Sequence, residues 1–161
     1  MTKDFSIRQA RLSDKEALTE LCLRSKQSNG YDDAFMDACV DELRVRESWI
    51  SDDDFWVAEA PDGSLAGCIR LSSGETDGGE LETCFVAPDY KGKGVGRALF
   101  QTLERRAKTI GLSHIELDAD PFAETFYARM GFTTRGRSPS GSIPGRTLPR
   151  MRLELVREPD V

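Results

Sequence analysis

The chain is poor in the residues that hold metals and disulfides. It has one histidine, His114, and four cysteines, Cys22, Cys39, Cys68 and Cys84, widely spaced and without a C-x-x-C pair. A zinc centre needs clustered His and Cys ligands, and a disulfide framework needs dense, paired cysteines. Both are excluded, no metal is implied, and a reducing cytoplasm is expected. No apolar run is long enough to span a bilayer, and the N-terminal MTKDFSIRQARLSDKE lacks the apolar core of a signal peptide. Positive charge is not in excess either: 22 Lys and Arg stand against 28 Asp and Glu, a net charge of −6, which excludes a general nucleic-acid surface. Internal repeats, low-complexity tracts and linkers are missing too. What remains, 161 residues of which 39% are hydrophobic, has the composition of one globular domain over residues 1–161.

The stretch around which the chain is organised is Val86 to Phe100, VAPDYKGKGVGRALF. A short apolar run, Cys84 to Ala87, ends at Pro88, and Gly92, Gly94 and Gly96 follow at alternate positions. A helical apolar pattern then starts at Val95 and continues through Leu99, Leu103, Ala107 and Ile110. Strand, glycine turn and helix in that order set free backbone N–H groups at a positive helix end, where pyrophosphate is held. Glycine lets an anion approach closely and accepts positive φ. Lys91, Lys93 and Arg97 add charge around the turn.

Along the rest of the chain, Phe5 to Arg8 alternates like a strand, and Ser13 and Glu16 are spaced as a capping box for a helix lined by Leu18, Leu21 and Cys22. After the break at Asn29-Gly30, a second helix is expected from Asp33 to Arg44, with Phe35, Ala38, Cys39 and Leu43 inward. Trp49 and Ile50 continue less regularly. Phe55–Ala60 and Leu65–Leu71 read as a hairpin about Pro61–Ser64, Ser72–Gly79 as a loop, and Glu80–Ala87 as the strand before the glycine turn. His114–Asp118 is a further strand. Asp120 then caps a helix that opens with Pro121 and stops at Gly131, with Phe122, Phe126 and Met130 in the core. Phe132–Arg135 starts a strand, Ser138–Pro149 is a long loop, and Met151–Val156 closes the sheet. Hairpins flank the alternating middle, so the fold class is α+β, with a mixed sheet flanked by helices.

With these residues the chain resembles the GNAT superfamily of N-acetyltransferases. The superfamily's V-x-P followed by Q/R-x-x-G-x-G/A is met by Val86-Ala87-Pro88 and Lys91-Gly92-Lys93-Gly94-Val95-Gly96. Its later N-x-x-A, tyrosine and G-F elements are met by Asp120, Ala123, Tyr127, Gly131 and Phe132. Lys91 stands where Gln or Arg is usual, keeping a cation but losing a planar fork. Asp120 replaces an asparagine that often contacts the pantetheine arm.

The resemblance implies a mostly antiparallel sheet splayed at the cofactor strand, and acetyl-coenzyme A as cosubstrate. Its pyrophosphate would lie on the N–H groups of Gly92 to Arg97, and its pantetheine arm along Glu80–Ala87. A backbone N–H near Phe85 or Val86 would face the acetyl carbonyl. An amine acceptor is mostly protonated at neutral pH, having a pKa of about 10, so a base is needed. Glu82 lies nearest on the strand and is preferred, with Glu80 as alternate and Glu116 third; strand alternation sets Glu80, Glu82 and Cys84 on one face. Tyr127 matches the superfamily's proton donor to the leaving thiolate, a role a neutral phenol can fill. Cys84 as a covalent nucleophile is disfavoured, because no basic partner adjoins it in sequence. Transfer to a small-molecule primary amine is therefore expected to be direct.

For the acceptor, the loop SPSGSIPGRTLP projects Arg146, whose fork suits a carboxylate, with Ser140 and Ser142 adding hydrogen bonds. An amine that also bears a carboxylate is the expectation, while Glu47 and Asp52–Asp54 could form a rim that favours a polyamine. Acetylation of a protein or peptide amine and a non-catalytic acyl-coenzyme A sensor are the alternatives, in a monomer or homodimer without nucleic-acid or membrane partners. A dinucleotide-binding oxidoreductase is excluded: the spacing is G-x-G-x-G, and only 45 residues follow Glu116, too few for the remaining strand–helix units.

Overall fold

Both faces of the strand Asp54–Glu59 (β2) are apolar, and the architecture follows from covering both. The computed structural model describes residues 4–74 and 76–155. In it Phe55 and Val57 join a cluster with Leu18, Leu21 and Cys22 of the helix Lys15–Gln27 (α1). Trp56 and Ala58 join the larger cluster beneath the helix Val95–Thr109 (α4), whose Leu99, Leu103 and Ala107 are fully buried. The helices Asp33–Leu43 (α2) and Glu47–Asp52 (α3) extend the α1 side, and the short helix Glu124–Arg129 (α5) the α4 side. No helix among the described residues is long and apolar enough to cross a membrane.

Among the described residues seven strands form one sheet: Ser6–Gln9 (β1), β2, Leu65–Ser73 (β3), Gly78–Val86 (β4), His114–Asp118 (β5), Thr133–Pro139 (β6) and Thr147–Glu154 (β7). Their order is β1-β2-β3-β4-β5-β7-β6, and every pairing is antiparallel except β4–β5. The fold is thus the expected α+β arrangement, a mixed sheet flanked by helices.

Several local expectations are corrected. Ser13 and Glu16 form no capping box; Asp14 instead accepts the Arg11 N–H at 2.7 Å and pairs with Arg8 at 2.8 Å. On α2 the buried residues are Met36 and Cys39; Ala38 is exposed, and Phe35 is half-buried because its ring stacks on Tyr31. Trp49 and Ile50 belong to α3, a helix of their own. The loops at 72–79 and 138–149 are both shorter than expected, because β3 runs to Ser73, β4 starts at Gly78, β6 runs to Pro139 and β7 starts at Thr147. Proline is tolerated there because β6 is an edge strand and Pro149 lies past the last β5 pair, Asp118↔Arg150. After Asp120 the chain makes a 3-10 turn, Pro121–Ala123, before α5. That turn rotates Phe122 outward to 64% exposure and makes Tyr127 the buried aromatic, with Phe126 and Met130 half-buried at the core's edge. Val156 lies outside the described residues.

The Asp14 contact generates a stability prediction. Hydrogen bonding from Arg8 holds the Asp14 carboxyl below its ordinary value, against the opposing effect of burial. A lowered carboxyl stabilises the fold above its unfolded pKa, and that contribution is lost as pH falls through the folded value. Asp14→Asn is expected to lower unfolding free energy by about 1–3 kcal/mol at pH 7. In urea titrations the gap to the parent protein closes in acid; a gap that persists at low pH would show that the charge is not its source.

Candidate active site

A cleft of about 670 Å³ runs from the glycine turn along β4 to the β6–β7 hairpin. At its first end, Gly92 and Gly94 have φ of +78° and +84°, the left-handed region that other residues avoid. A Cβ on either would meet no atom within 4 Å, so the space beside them is open to a ligand. Ala98 N–H bonds to Gly94 O at 3.0 Å, and the N–H groups of Val95, Gly96 and Arg97 precede that bond. They form an open donor fork at the positive end of a helix of 15 residues. Gly96 differs from the other two glycines: it is buried, and a Cβ there would come within 3.1 Å of Phe126, so its smallness serves the packing of α5 on α4. Of the cations around the turn, Lys91 reaches across to Ser28 Oγ at 2.6 Å, Lys93 lies over the Tyr90 ring, and Arg97 is exposed on the cleft wall.

In the middle of the cleft, β4 parts from β5. Their pairing covers Gly78–Glu80 against His114–Glu116 and then stops, while β4 stays paired to β3 as far as Val86. Ala87 N–H bonds to Ala66 O at 2.8 Å. Alternation therefore turns the N–H of Phe85 toward β3 and those of Cys84 and Val86 toward the open edge.

A bulge separates the pairs Arg70↔Thr83 and Leu71↔Leu81, with Glu82 as the extra residue. It breaks the alternation, which corrects the expectation that Cys84 shares a face with the two glutamates. Glu82 is on the Arg70 side, with Ser72 Oγ at 3.3 Å and Arg70 Nη2 at 3.7 Å from its carboxylate. Cys84 packs on the α4 side, where its pair partner Ile69 also lies. Glu80 is occupied, since both its oxygens take the Arg150 guanidinium, at 2.6 and 2.7 Å. Burial pushes its carboxyl above the ordinary value in spite of that partner. Glu116 faces His114, Arg150 and Arg152 at 3.4–3.9 Å. Among the three candidate bases, Glu82 stands farthest from its nearest arginine, at 3.7 Å against 2.6 Å for Glu80 and 3.6 Å for Glu116.

Tyr127 is buried on the cleft floor next to Cys84. Burial, then the neighbouring thiol, push its phenol well above the ordinary value, so it is protonated at neutral pH. Burial likewise pushes the Cys84 thiol up to about 12, which leaves almost no thiolate to act as a nucleophile.

Asp120 accepts the Phe122 N–H at 3.0 Å, both its oxygens take the Tyr31 hydroxyl at 3.0–3.1 Å, and Lys26 reaches it at 3.3 Å. Arg146 donates to the same Tyr31 hydroxyl at 2.7 Å and stands 3.7 Å from Asp120. It is turned into this group and does not line the cleft; nor does Ser142, whose hydroxyl lies 3.5 Å from Cys39 Sγ. The hairpin reaches the cleft through Pro139, Gly141 and Leu148 instead. Four residues not singled out from sequence complete the site: Lys26, Tyr31, Arg70 and Arg150. Arg70 is 5% exposed, lies 2.7 Å from Asp53 and 3.9 Å over the Trp49 ring. These residues meet hydrogen-bond and ion-pair partners 12 to 115 positions away, and no short motif marks such contacts.

The GNAT acetyltransferase domain model matches residues 10–155. An amino-acid acetyltransferase of Mycobacterium tuberculosis is 31% identical over 129 residues, 79% of this chain and 67% of that protein. A peptidyl-lysine N-acetyltransferase of Escherichia coli is 28% identical over 94% of this chain and 97% of its own length. Two further curated relatives, a probable N-acetyltransferase 14 of Danio rerio and a mycothiol acetyltransferase of Nocardiopsis dassonvillei, are longer, and the match covers 35% and 32% of them. Among solved structures, the PaiA N-acetyltransferase of Thermoplasma acidophilum, crystallised with coenzyme A, superposes with a TM-score of 0.77 at 22% identity, covering 96% of this chain and 99% of that one. Open donor fork, parted strands and buried tyrosine thus stand in a chain that belongs to the GNAT family of N-acetyltransferases, whose cosubstrate is acetyl-coenzyme A.

Proposed function

We propose that the protein moves the acetyl group of acetyl-coenzyme A directly onto the primary amine of a small molecule. The observation that carries this is the convergence on one open strand edge of a carboxylate, Glu82, from one side and a buried phenol, Tyr127, from the other. The N–H groups from Gly92 to Arg97, free except for that of Lys93, which bonds to Tyr90 O at 3.3 Å, suit a pyrophosphate, with Lys91, Lys93 and Arg97 adding charge. The edge of β4 at Cys84 and Val86 suits an extended amide chain, because it offers backbone donors and acceptors without a ladder partner, whereas those of Phe85 face β3. When bound, the cosubstrate supplies an activated thioester. Val86 N–H, which faces the opening, is the better placed of the two predicted carbonyl donors. Glu82 accepts the amine's proton, with Glu80 held by Arg150, and Tyr127 gives its proton to the leaving sulfur. The raised Cys84 thiol supports direct transfer over a covalent enzyme intermediate.

A carboxylate on the acceptor is supported by Lys26, which lines the cleft; Arg146, turned onto Tyr31, helps balance Asp120 and so leaves Lys26 in excess. The relative named as an amino-acid acetyltransferase supports it too. A second reading, an amine without an anionic group, is favoured by Glu42, Glu80, Glu82 and Asp118 along the same end of the cleft. The lysine side chain of a protein falls in that class, as in the Escherichia coli relative. One sheet running through the described residues fits a single catalytic domain, and four free thiols fit the cytoplasm.

The test is an amine panel with acetyl-coenzyme A, reading free thiol release, in which each amino acid is paired with its carboxamide. Faster turnover of the acids supports the carboxylate, and faster turnover of the amides the second reading. Cofactor binding by calorimetry with no thiol release for any amine or lysine peptide would leave only the sensor. Gly94→Val is expected to weaken acetyl-coenzyme A binding more than about tenfold, because the side chain fills the space beside the turn; unchanged affinity would move the pyrophosphate elsewhere. Tyr127→Phe is expected to lower kcat about 10²–10⁴-fold with little change in cofactor affinity. An unchanged kcat with chemistry rate-limiting would remove it from the mechanism. Glu82→Gln is expected to lose activity at neutral pH and regain it at high pH, where the amine deprotonates unaided. If Glu80→Gln alone does so, Glu80 is the base.

A further inference from the structure

We propose that Asp120 is a positioning residue for the acceptor: it clasps together the three segments that wall the acceptor end of the cleft, and does not contact the pantetheine arm. The proposal rests on the acetyl-transfer reading above. The contact residues of these segments lie 94, 89 and 26 positions from Asp120 in the sequence. Lys26 is on α1, Tyr31 immediately precedes α2, and Arg146 lies between β6 and β7. Tyr31 hydroxyl carries one hydrogen, so it gives this to Asp120 and accepts from Arg146, forming the chain Arg146 to Tyr31 to Asp120. Lys26 reaches the same carboxylate directly, and the Phe122 N–H takes a further lone pair.

The environment strengthens these bonds. Lys26, Asp120 and Arg146 side chains are only 15–19% exposed, so solvent screens them weakly. The Tyr31 ring stacks on Phe35 at 4.0 Å and meets Phe122 edge-on at 5.6 Å. The Arg146 guanidinium stands 4.8 Å from the Phe35 centroid. Burial, then Asp120, push the Tyr31 hydroxyl up to about 12, which keeps it a donor at every working pH.

Chemistry separates this role from a cofactor contact. An asparagine offers an N–H to a pantetheine carbonyl, whereas an ionised Asp120 has only acceptors, and four donors of this chain surround them. The elements so clasped carry Glu42 and Leu43 from α2 and Gly141 and Leu148 from the hairpin into the cleft. Their positions set the shape of the acceptor end, while the β4 edge makes none of these contacts and the glycine turn touches the clasped segments only through the Lys91 side chain, at Ser28 and Asn29.

The experiment compares Asp120→Asn and Tyr31→Phe with the parent chain. Asparagine caps a helix start as well as aspartate, so the first variant removes charge and leaves the cap. Three quantities are read: hydrogen exchange by segment, acetyl-coenzyme A affinity by calorimetry, and acceptor KM for the panel amine with the highest kcat/KM. The expected result is faster exchange at residues 26–36 and 139–148 with none added at 91–97. Acetyl-coenzyme A affinity is expected to stay within about threefold and acceptor KM to rise about tenfold or more. Tyr31→Phe, which removes one hydroxyl, gives the same pattern at smaller amplitude. A tenfold change in acetyl-coenzyme A affinity for Asp120→Asn with exchange unaltered would overturn the proposal in favour of a pantetheine contact, and so would the absence of any change. Failure of the parent to release thiol with any amine would overturn the transfer reading instead, and the exchange and affinity results would still decide the clasp.

Discussion

Where β4 and β5 stop pairing at Glu80 and Glu116, the backbone groups of Cys84 and Val86 are left facing a gap instead of a strand. A strand in the middle of a sheet tolerates unpaired N–H and C=O groups only where a ligand or water takes them. The fork must therefore be held open against the sheet's tendency to zip shut. Arg150 on β7 sits at its crotch. It reaches Glu80 on one strand at 2.6 Å, and Asp118 and Glu116 on the other at 3.2 and 3.6 Å. Without that cation, Glu80 and Glu116 would stand as paired like charges at the last rung. The bulge at Glu82, gripped by Arg70 through Thr83 at 3.2 Å, then bends β4 away. Two arginines thereby give neighbouring carboxylates different roles: Glu80 fixes the fork, and Glu82 stays available at its mouth.

What was legible in the sequence was local. The order strand, Gly92-x-Gly94, helix needs only φ preferences and a helical apolar stripe, and Gly92, Gly94 and Val95 are where that reasoning sets them. Gly131 likewise marks the stop after α5, and Pro121 the 3-10 turn ahead of it, through backbone geometry alone. Expectations failed where a side chain's direction depends on something distant. A single inserted residue at Glu82 reverses the face of Cys84, and strand periodicity carries no sign of it. Phe122 is spaced like Phe126 and Met130, but the 3-10 turn ahead of α5 changes the angular step and sends it outward. Arg146 looked like a free cation because its partners, Tyr31 and Asp120, lie 115 and 26 positions back in the chain.

The net charge of −6 also hides how charge is sorted along the cleft. The turn end presents N–H groups at a helix start with Lys91, Lys93 and Arg97 around them. The opposite end presents Glu42, Glu80, Glu82 and Asp118. In the proposed transfer, the turn attracts the polyanionic cosubstrate and the carboxylates farther along the groove attract a cationic amine. Electrostatic sorting of this kind orients both partners before any contact forms.

The cleft floor bears on how the leaving sulfur is protonated. A buried phenol well above 10 is a weak acid, and an ordinary thiol, at about 8.5, leaves a thiolate too weakly basic to take its proton. Cys84 reports what a sulfur experiences at this position: beside Tyr127, burial pushes its thiol up to about 12. A thiolate released in the same water-poor surroundings is raised for the same reason, since the charged form loses its solvation. In the proposed mechanism, the burial that holds Tyr127 neutral also raises the basicity of the departing sulfur. The two groups are matched because they share one environment, and opening that environment to water would lower the basicity of the sulfur while leaving the phenol no better an acid than it is in solution.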